Sequence, residues 1–483
     1  MIMNKKKSEE GLTVKKEENF SEWYQQLIVK SELADYTPVS GCIVFRPTAW
    51  GIWEKIRDEV DKKIKKMDVK NVYFPMFIPE SLLKKEQEHV QGFAPEVAWV
   101  TQTGDAKLNE RLAVRPTSEA IMYNSFSKWI RSWRDLPLKY NQWSNVVRWE
   151  FKYPIPFFRT REFVFNEGHT VFATKKEAEK EAMPIINMYK EILEKYMAIP
   201  GFIGKKTDKE KFAGAEYTLT IESYMPNGKA IQGPAFHHDG QNFSRAYDIK
   251  FLDENRKEKY AWQNTWAIST RMLGVMFAIH SDNKGLILPP KLAPNKTVII
   301  PLLFEKNKKV LEKAKEIFKR LSKHNPILDD RSEITPGRKY NEWELKGIPL
   351  RIEIGPKDLE KKQVIIFRRN DGIKKEIKFK DIGKEVDENL TEIQEGIYKK
   401  ADKLLKSALD KAENFNELLK KSGNKKIVLV PLCKNPECED WIKEKTKGAK
   451  TLNIPLEQKP IKGKKCIWCK KPADYWVYVG KSY

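Results

Sequence analysis

Arg148 and Glu150 stand two apart in the run NVVRWEF, where they alternate with Val147, Trp149 and Phe151. That is the period of a half-buried strand, and it would send both charged side chains off one sheet face. Such a pair serves equally well as a structural ion pair. The loop that follows, FKYPIPFFRTREF, adds Arg159, Arg161 and Phe163, two guanidiniums and a ring suited to an anionic, aromatic ligand such as a nucleotide. The other nucleotide signatures, a Gly-x-x-x-x-Gly-Lys-Ser/Thr loop and a Gly-x-Gly-x-x-Gly turn, are absent.

A second chemical group lies near the end of the chain. Cys433-x₄-Cys438 and Cys466-x₂-Cys469 have knuckle spacing, and the interval between the pairs suits two hairpins closing a tetrahedral thiolate site for a structural Zn²⁺. A closed site of this kind leaves no coordination position for catalysis. Cys42, alone in an apolar segment, is expected in the core.

These groups need substantial scaffolding. At ~150 residues per domain, 483 residues suggest about three domains, and 40% hydrophobic residues with 14 Trp, 17 Tyr and 23 Phe can fill several cores. A disordered tail protein is excluded, and a net charge of +23 favours polyanionic partners. The N-terminus shows neither a secretory apolar region nor an anchor, so a cytoplasmic protein is expected, with residues 1–19 a charged, solvated tail. From 20 to 290 helix and strand signals mix: Trp53, Ile56, Val60 and Ile64 recur at helical spacing, and VYFPMFIP reads as extended. A proline-rich stretch at 286–296 ends this domain. Over 296–400, a Lys/Glu helix at about 305–323 and strands near PLRIEIG and QVIIFRR argue for α/β, and 385–421 reads as helical. Residues 401–483 form a connector and the cysteine-bearing domain, and from Lys425 onward 14 lysines face six acidic residues.

The Arg-x-Glu strand with its arginine-rich loop resembles motif 2 of the class II aminoacyl-tRNA synthetases. The helix and strand ending at Pro75 resemble motif 1, whose family role is dimer contact, and AISTRMLGVMFAIHSD, with Arg271, resembles motif 3. Within that class RPTSE (115–119), FAGAEYT (212–218), HHDGQNFS (237–244) and PGRKYNEWELKGIPLRIEIGPKD (336–358) resemble the prolyl-tRNA synthetases of the archaeal and eukaryotic-like type, in family order. The resemblance implies an α+β fold: a class II antiparallel sheet flanked by helices, an α/β anticodon-binding domain, and a small zinc-binding C-terminal α+β domain. It implies ligation of L-proline to its tRNA through a prolyl-adenylate, with ATP and Mg²⁺, in a homodimer. The interval between Arg161 and Arg271 is too short for the editing domain that bacterial-type relatives insert there.

The resemblance also implies residue roles. Thr117 and Glu119 accept the two N–H donors of the prolyl secondary ammonium, although the pair also reads as a helix N-cap. Arg148 bridges the prolyl carboxylate and the α-phosphate, and Arg159 and Thr160 hold the outer phosphates. Phe163 stacks on one face of adenine and Arg271 covers the other while touching the γ-phosphate. Glu150 and Ser269 contact the nucleotide, and Gln232 is nearest Mg²⁺. Phe165, Phe212 and His237 line the pyrrolidine pocket, or are ordinary core. Glu344, Arg351 and Lys357 match anticodon-reading positions, where the guanine edges of a proline anticodon suit carboxylate and cationic partners, or else form a solvated charged face. Terminal Tyr483 reaches back towards the catalytic site, or is a frayed end.

Four positions depart from the family pattern: Pro234 for glycine, Ala235 for a threonine that touches the nucleotide, Asp239 for an apolar residue, and Val171 for a smaller one. Two rival readings remain. One is another class II synthetase, though no His/Cys cluster before residue 290 supplies the catalytic zinc site of threonyl enzymes. The other is a non-catalytic tRNA-binding paralogue.

Overall fold

The computed structural model describes residues 11–89 and 96–483. Its largest unit is an eight-stranded sheet. From one edge the strands run Ile454–Pro455, Phe202–Lys205, Tyr217–Tyr224, Ala230–Gly240, Trp262–Ser269, Glu162–Phe172, Leu138–Val147 and Lys70–Asn71. All neighbours are antiparallel except the last pair. Gly168 permits the closest approach in the middle of the sheet, because a Cβ there would sit 2.1 Å from the Trp266 indole.

Helices Pro47–Lys65, Lys175–Glu191 and Arg271–His280 supply apolar side chains to the main core. In the first, Ile52, Trp53, Ile56, Val60 and Ile64 are fully buried along one stripe, as the sequence spacing requires. Emptying that stripe at Ile56 by alanine would cost roughly 2–5 kcal/mol.

A five-stranded mixed sheet follows, ordered Ile327–Leu328, Thr297–Pro301, Leu350–Ile354, Gln363–Arg368 and Lys374–Lys378. The first three strands are parallel and the rest antiparallel. The Lys/Glu helix spans Lys308–Arg320. A third sheet orders Leu409–Lys411, Ile427–Leu432, Tyr475–Lys481 and Ala449–Thr451. The expected α+β architecture is therefore present. The catalytic and C-terminal units also share a sheet, since Ile454–Pro455 adds to the edge at Phe202–Lys205.

Several local expectations are corrected. The strand predicted through NVVRWEF stops at Val147, so Arg148 and Glu150 lie beyond its end. The region 385–421 is not one helix: Ile382–Ala408 ends in strand Leu409–Lys411, and a second helix spans Phe415–Gly423. Residues 11–19 are not a solvated tail, because Leu12 and Val14 pack on the main core and the Lys16 ammonium donates 2.7 Å to the Ser281 carbonyl. Residues 1–10 lie outside the described residues. Cys42 is half-buried rather than core.

Candidate active site

The backbone leaves strand Leu138–Val147 at Arg148, whose N–H still bonds the Arg161 carbonyl at 2.8 Å. The Arg148 guanidinium donates from Nε to the Pro116 carbonyl at 2.8 Å and sits 5.5 Å from the Phe163 ring centre. Arg148 thereby meets RPTSE. Thr117 and Glu119 are hydrogen-bonded to each other through their side chains, and the N-cap is Ser118, which makes no side-chain capping bond.

Opposite lies the end of the site that begins helix Arg271–His280. Phe151, Thr160, Phe163, Ser269 and Arg271 line one small pocket, with Arg271 Nε donating to the Phe158 carbonyl at 3.2 Å. Burial, and then the like charges of Arg148 and Arg159, lower the Arg271 pKa. None of these three arginines has a carboxylate ion-pair partner among the described residues, and the ion-pair alternative for Arg148 and Glu150 is not realised. Arg159 lies 5.7 Å from the Phe151 ring centre. Arg161 turns away: it donates to the carbonyls of Ser40 and Phe151 and covers Trp149, packed against Gly41 at φ +85°. Gln232 pairs in register with Glu222, whose buried carboxylate accepts from Lys206 at 2.7 Å and from Thr220.

The third wall is aromatic. His237 Nδ1 is 2.8 Å from the Thr218 hydroxyl, and its ring is 4.8 Å from that of Phe212. Burial, helped by the Arg148 charge, takes its pKa down to about 3, so the imidazole is neutral. Phe165 is buried and edge-on to Phe163 at 5.7 Å. The turn carrying Thr117 and Glu119, the aromatic wall at His237 and the Arg271 pocket thus adjoin around Arg148.

Comparison with known proteins agrees with this geometry. The model of the tRNA synthetase class II core domain (G, H, P, S and T) matches residues 99–280, the anticodon binding domain matches 296–389, and the prolyl-tRNA synthetase C-terminal model matches 415–483. The cytoplasmic proline–tRNA ligase of Arabidopsis thaliana is 44% identical over 489 residues, covering 99% of this chain and 92% of that protein. Proline–tRNA ligase 2 of Bacillus cereus is 46% identical over 470 residues, covering 97% and 98%. The chain belongs to the prolyl-tRNA synthetase family. The class II synthetase assignment, and with it an enzyme that charges tRNA at the expense of ATP, is therefore secure.

Against that family background the departures acquire a structural setting. Asp239 sits at a bulge in strand Ala230–Gly240, fully buried, and neither carboxyl oxygen has a hydrogen-bond partner among the described residues. Burial, and then the nearby Glu119, push its pKa well above the carboxylate range, so it keeps its proton. Val171 is fully buried against the cluster that holds Tyr123 and Phe243, and Pro234 and Ala235 are buried in the sheet.

Sequence reasoning missed a support beneath RPTSE. Glu167 accepts from the Ser118 N–H at 3.2 Å, from the Ser118 hydroxyl, and from Gln142 at 3.1 Å, and lies 3.2 Å from His169 Nε2. Tyr123 reaches the other His169 nitrogen at 3.1 Å. Burial alone would raise Glu167, but His169, Ser118 and the Arg115 charge outweigh it and hold the carboxyl below its usual range. This buried network fixes the turn carrying Thr117 and Glu119.

In the anticodon-binding domain the structure joins Glu344 and Arg351 at 3.1 Å, and Arg351 also bonds Glu353 at 2.9 Å. Lys357 stands apart from them, exposed in helix Pro356–Glu360. The four C-terminal cysteines converge, with Sγ atoms all within 4.8 Å and the Cys433–Cys438 and Cys433–Cys469 separations 3.6 and 3.7 Å. Tetrahedral zinc with Zn–S of ~2.3 Å requires edges of about 3.8 Å, so the donors fit. The two-hairpin expectation is corrected: the first pair spans the junction of strand Ile427–Leu432 with helix Pro436–Lys445, and the second lies in a turn closed at Lys465–Pro472.

Chain-terminal Tyr483 stacks on Phe158 at 5.1 Å with rings 13° apart, and its hydroxyl accepts from Asn227 at 2.6 Å. Phe158 is the residue whose carbonyl holds Arg271.

Proposed function

We propose that the chain joins L-proline to its cognate tRNA in two steps. A prolyl carboxylate oxygen attacks the α-phosphorus of ATP, the bond to the β-phosphate oxygen breaks, and pyrophosphate leaves. The 3′-terminal ribose hydroxyl of the tRNA then attacks the activated carbonyl and AMP leaves. The observation that carries this reading is three guanidiniums without carboxylate partners beside a pocket of Phe163, Thr160 and Ser269.

Arg148 links the carboxylate and α-phosphate, aligning the attack and stabilising charge that grows on phosphorus. Arg159 and Thr160 hold the outer phosphates, Phe163 and Arg271 enclose adenine, and Glu150 and Ser269 complete the nucleotide contacts. Thr117 and Glu119 take the secondary ammonium, while neutral His237, Phe165 and Phe212 bound the ring. Neutrality of His237 matters because a second cation beside Arg148 would repel that ammonium. Gln232 is the side chain for Mg²⁺, which neutralises phosphate charge when bound. Glu344, Arg351 and Lys357 read the anticodon, and the four cysteines hold structural Zn²⁺.

The domains follow as residues 20–290 for catalysis, 296–400 for the anticodon, and 401–483 for the connector and zinc. A homodimer is supported by Tyr73, exposed by 73% in the segment that resembles motif 1, and by Phe77, exposed by 42% just beyond it. A cytoplasmic location is supported by the name of the Arabidopsis relative. No helix among the described residues is long and apolar enough to cross a membrane.

Pyrophosphate exchange with a panel of amino acids tests the activity. Proline alone should drive exchange; exchange with threonine or glycine instead would reassign the substrate, and none at all would leave a non-catalytic paralogue. Zinc analysis tests the metal: one zinc per chain is expected, lost in Cys466→Ser together with folding of the C-terminal unit.

A further inference from the structure

Behind the helix that begins at Arg271 the chain encloses a second cleft, of about 520 Å³. It lies at the far end of that helix, between the Ile279–Asp282 turn, the N-terminal segment at Lys16 and the long helix Ile382–Ala408. Phe20, Ile279, Ile287, Ile397 and Leu404 form its apolar walls.

Its polar groups are unbalanced. Lys16, Lys400 and Lys403 face the cleft, against Glu17 and Asp282. Both acids are engaged: Asp282 accepts two bonds from Arg369 at 2.9 and 2.6 Å, and Glu17 accepts from Asn283 at 3.0 Å. Lys400 and Lys403 have no ion-pair partner among the described residues, although their helix neighbours Lys399 and Lys406 do. Burial, and then the Lys400 charge, bring the Lys16 pKa down to about 8 against the pull of Glu17 and Asp282, and the Lys16 ammonium is already seated on the Ser281 carbonyl at 2.7 Å. Ser281, only 3% exposed, has a hydroxyl without a partner among the described residues, and it too lines the cleft. His280 adds no charge, since burial takes it to about 4 and its Nε2 is 2.9 Å from the Met197 carbonyl.

A buried free hydroxyl, two unpaired ammoniums at the rim and apolar walls within the size range of small-molecule pockets describe a ligand chemistry. We infer that this cleft binds a small anionic molecule with an apolar body, an aryl or alkyl carboxylate, sulfonate or phosphate. Its anionic group would lie against Lys400, Lys403 and Ser281, and its apolar part against Leu404 and Ile397. The site is separate from the nucleotide pocket, because it opens at the opposite end of the Arg271–His280 helix.

The probe is 8-anilinonaphthalene-1-sulfonate, titrated by fluorescence into the full chain with ATP and proline saturating the active site. Saturable binding is expected, weakened at least tenfold in Lys400→Glu/Lys403→Glu and abolished in Leu404→Trp, which fills the apolar end. Each variant should keep the wild-type melting temperature within a few degrees. The uncharged parent, N-phenyl-1-naphthylamine, should bind wild type at least tenfold more weakly than the sulfonate. Equal affinity of wild type and both variants for the sulfonate, equal affinity of charged and uncharged probes, or no saturable binding would each overturn the assignment.

Discussion

Arg271 and Arg351 are both enclosed arginines carried on regular structure, and their surroundings differ in what balances the charge. Arg351 lies between the rings of Tyr340 and Phe367, at 4.0 and 4.1 Å, and is paired with Glu344 and Glu353. Arg271 is held by a carbonyl and feels two further guanidiniums more strongly than the carboxylates of Glu222 and Glu150. In the anticodon-binding domain the cation is balanced by carboxylates of its own fold. In the catalytic domain it is a charge the fold maintains against repulsion, and a bound polyphosphate would relieve that repulsion. Local electrostatic conflict of this kind marks a site more sharply than residue type does.

The widest separation between the two regions should come from Arg148→Ala. Exchange should fall ~100-fold or more in kcat, because the lost contact acts on charge present in the reacting complex. Its melting temperature should hold or rise, since a repelling charge is removed. A fall of several degrees would mean that the fold depends on Arg148 for stability, as it does on the paired Arg351.

Arg351→Ala should behave in the opposite way. Removing one partner of a buried pair leaves Glu353 with the Tyr340 hydroxyl and Glu344 with Lys284, at a cost of roughly 3 kcal/mol visible as a lowered melting temperature. Glu344→Ala leaves Arg351 with Glu353 and should reduce tRNA aminoacylation while exchange stays near wild type. Loss of exchange in Glu344→Ala would mean that the cluster supports the catalytic domain, which it approaches through Lys284 at 3.5 Å.

The same contrast explains what could be read in advance. Arg148, Arg271, Thr117 and Glu119 were legible because local motifs carry them, and the Ile52–Ile64 stripe because burial imposes a period. Glu167 was not: His169 stands two along the same strand, but Ser118 and Gln142 come from a turn and a second strand that no local spacing ties to it. Alternation carried the predicted strand past Val147 because side-chain period survives where pairing stops. The helix break at Leu409 was hidden for a different reason. The Leu409–Lys411 strand is stabilised by parallel pairing with Ile427–Leu429, a tertiary contact that overrides helical periodicity. Lys16 lies in a segment of charge-run composition, and only its seat on the Ser281 carbonyl distinguishes it from a solvated residue.

Protonation sharpens the comparison at smaller scale. His237 has a folded pKa of about 3, below the ~6.5 of an unfolded chain, so the unfolded state takes up its proton first as pH falls. This histidine therefore costs no stability above pH 6.5 and removes stability progressively from pH 6.5 towards 3. Between pH 7.5 and 4.5, His237→Gln should lose a few degrees less in melting temperature than wild type. Equal losses would mean that the imidazole is solvated and outside the pocket wall.

The smallest effect concerns the chain terminus. Tyr483 stacks on Phe158, receives the Lys229 ammonium over its ring at 4.6 Å, and donates its backbone N–H to Ala230 at 3.3 Å. Phe158 in turn offers Arg271 the only side-chain hydrogen bond it makes among the described residues, so the stack fixes the carbonyl that positions this guanidinium beside those of Arg148 and Arg159. An aromatic pair is worth about 0.5–1.5 kcal/mol, which sets the scale at roughly two- to tenfold. Deleting Tyr483 should therefore raise the KM for ATP in exchange by that factor with kcat changed less, because positioning is lost and the reacting groups remain. Replacing it by phenylalanine should restore most of the affinity, since the stack survives and only the Asn227 bond is lost. If deletion leaves the KM for ATP unchanged, Arg271 is held without help from the chain terminus, and the two regions are coupled through the shared sheet edge and through pairs such as Lys450–Glu210 at 2.8 Å and Thr207–Glu439 at 2.9 Å.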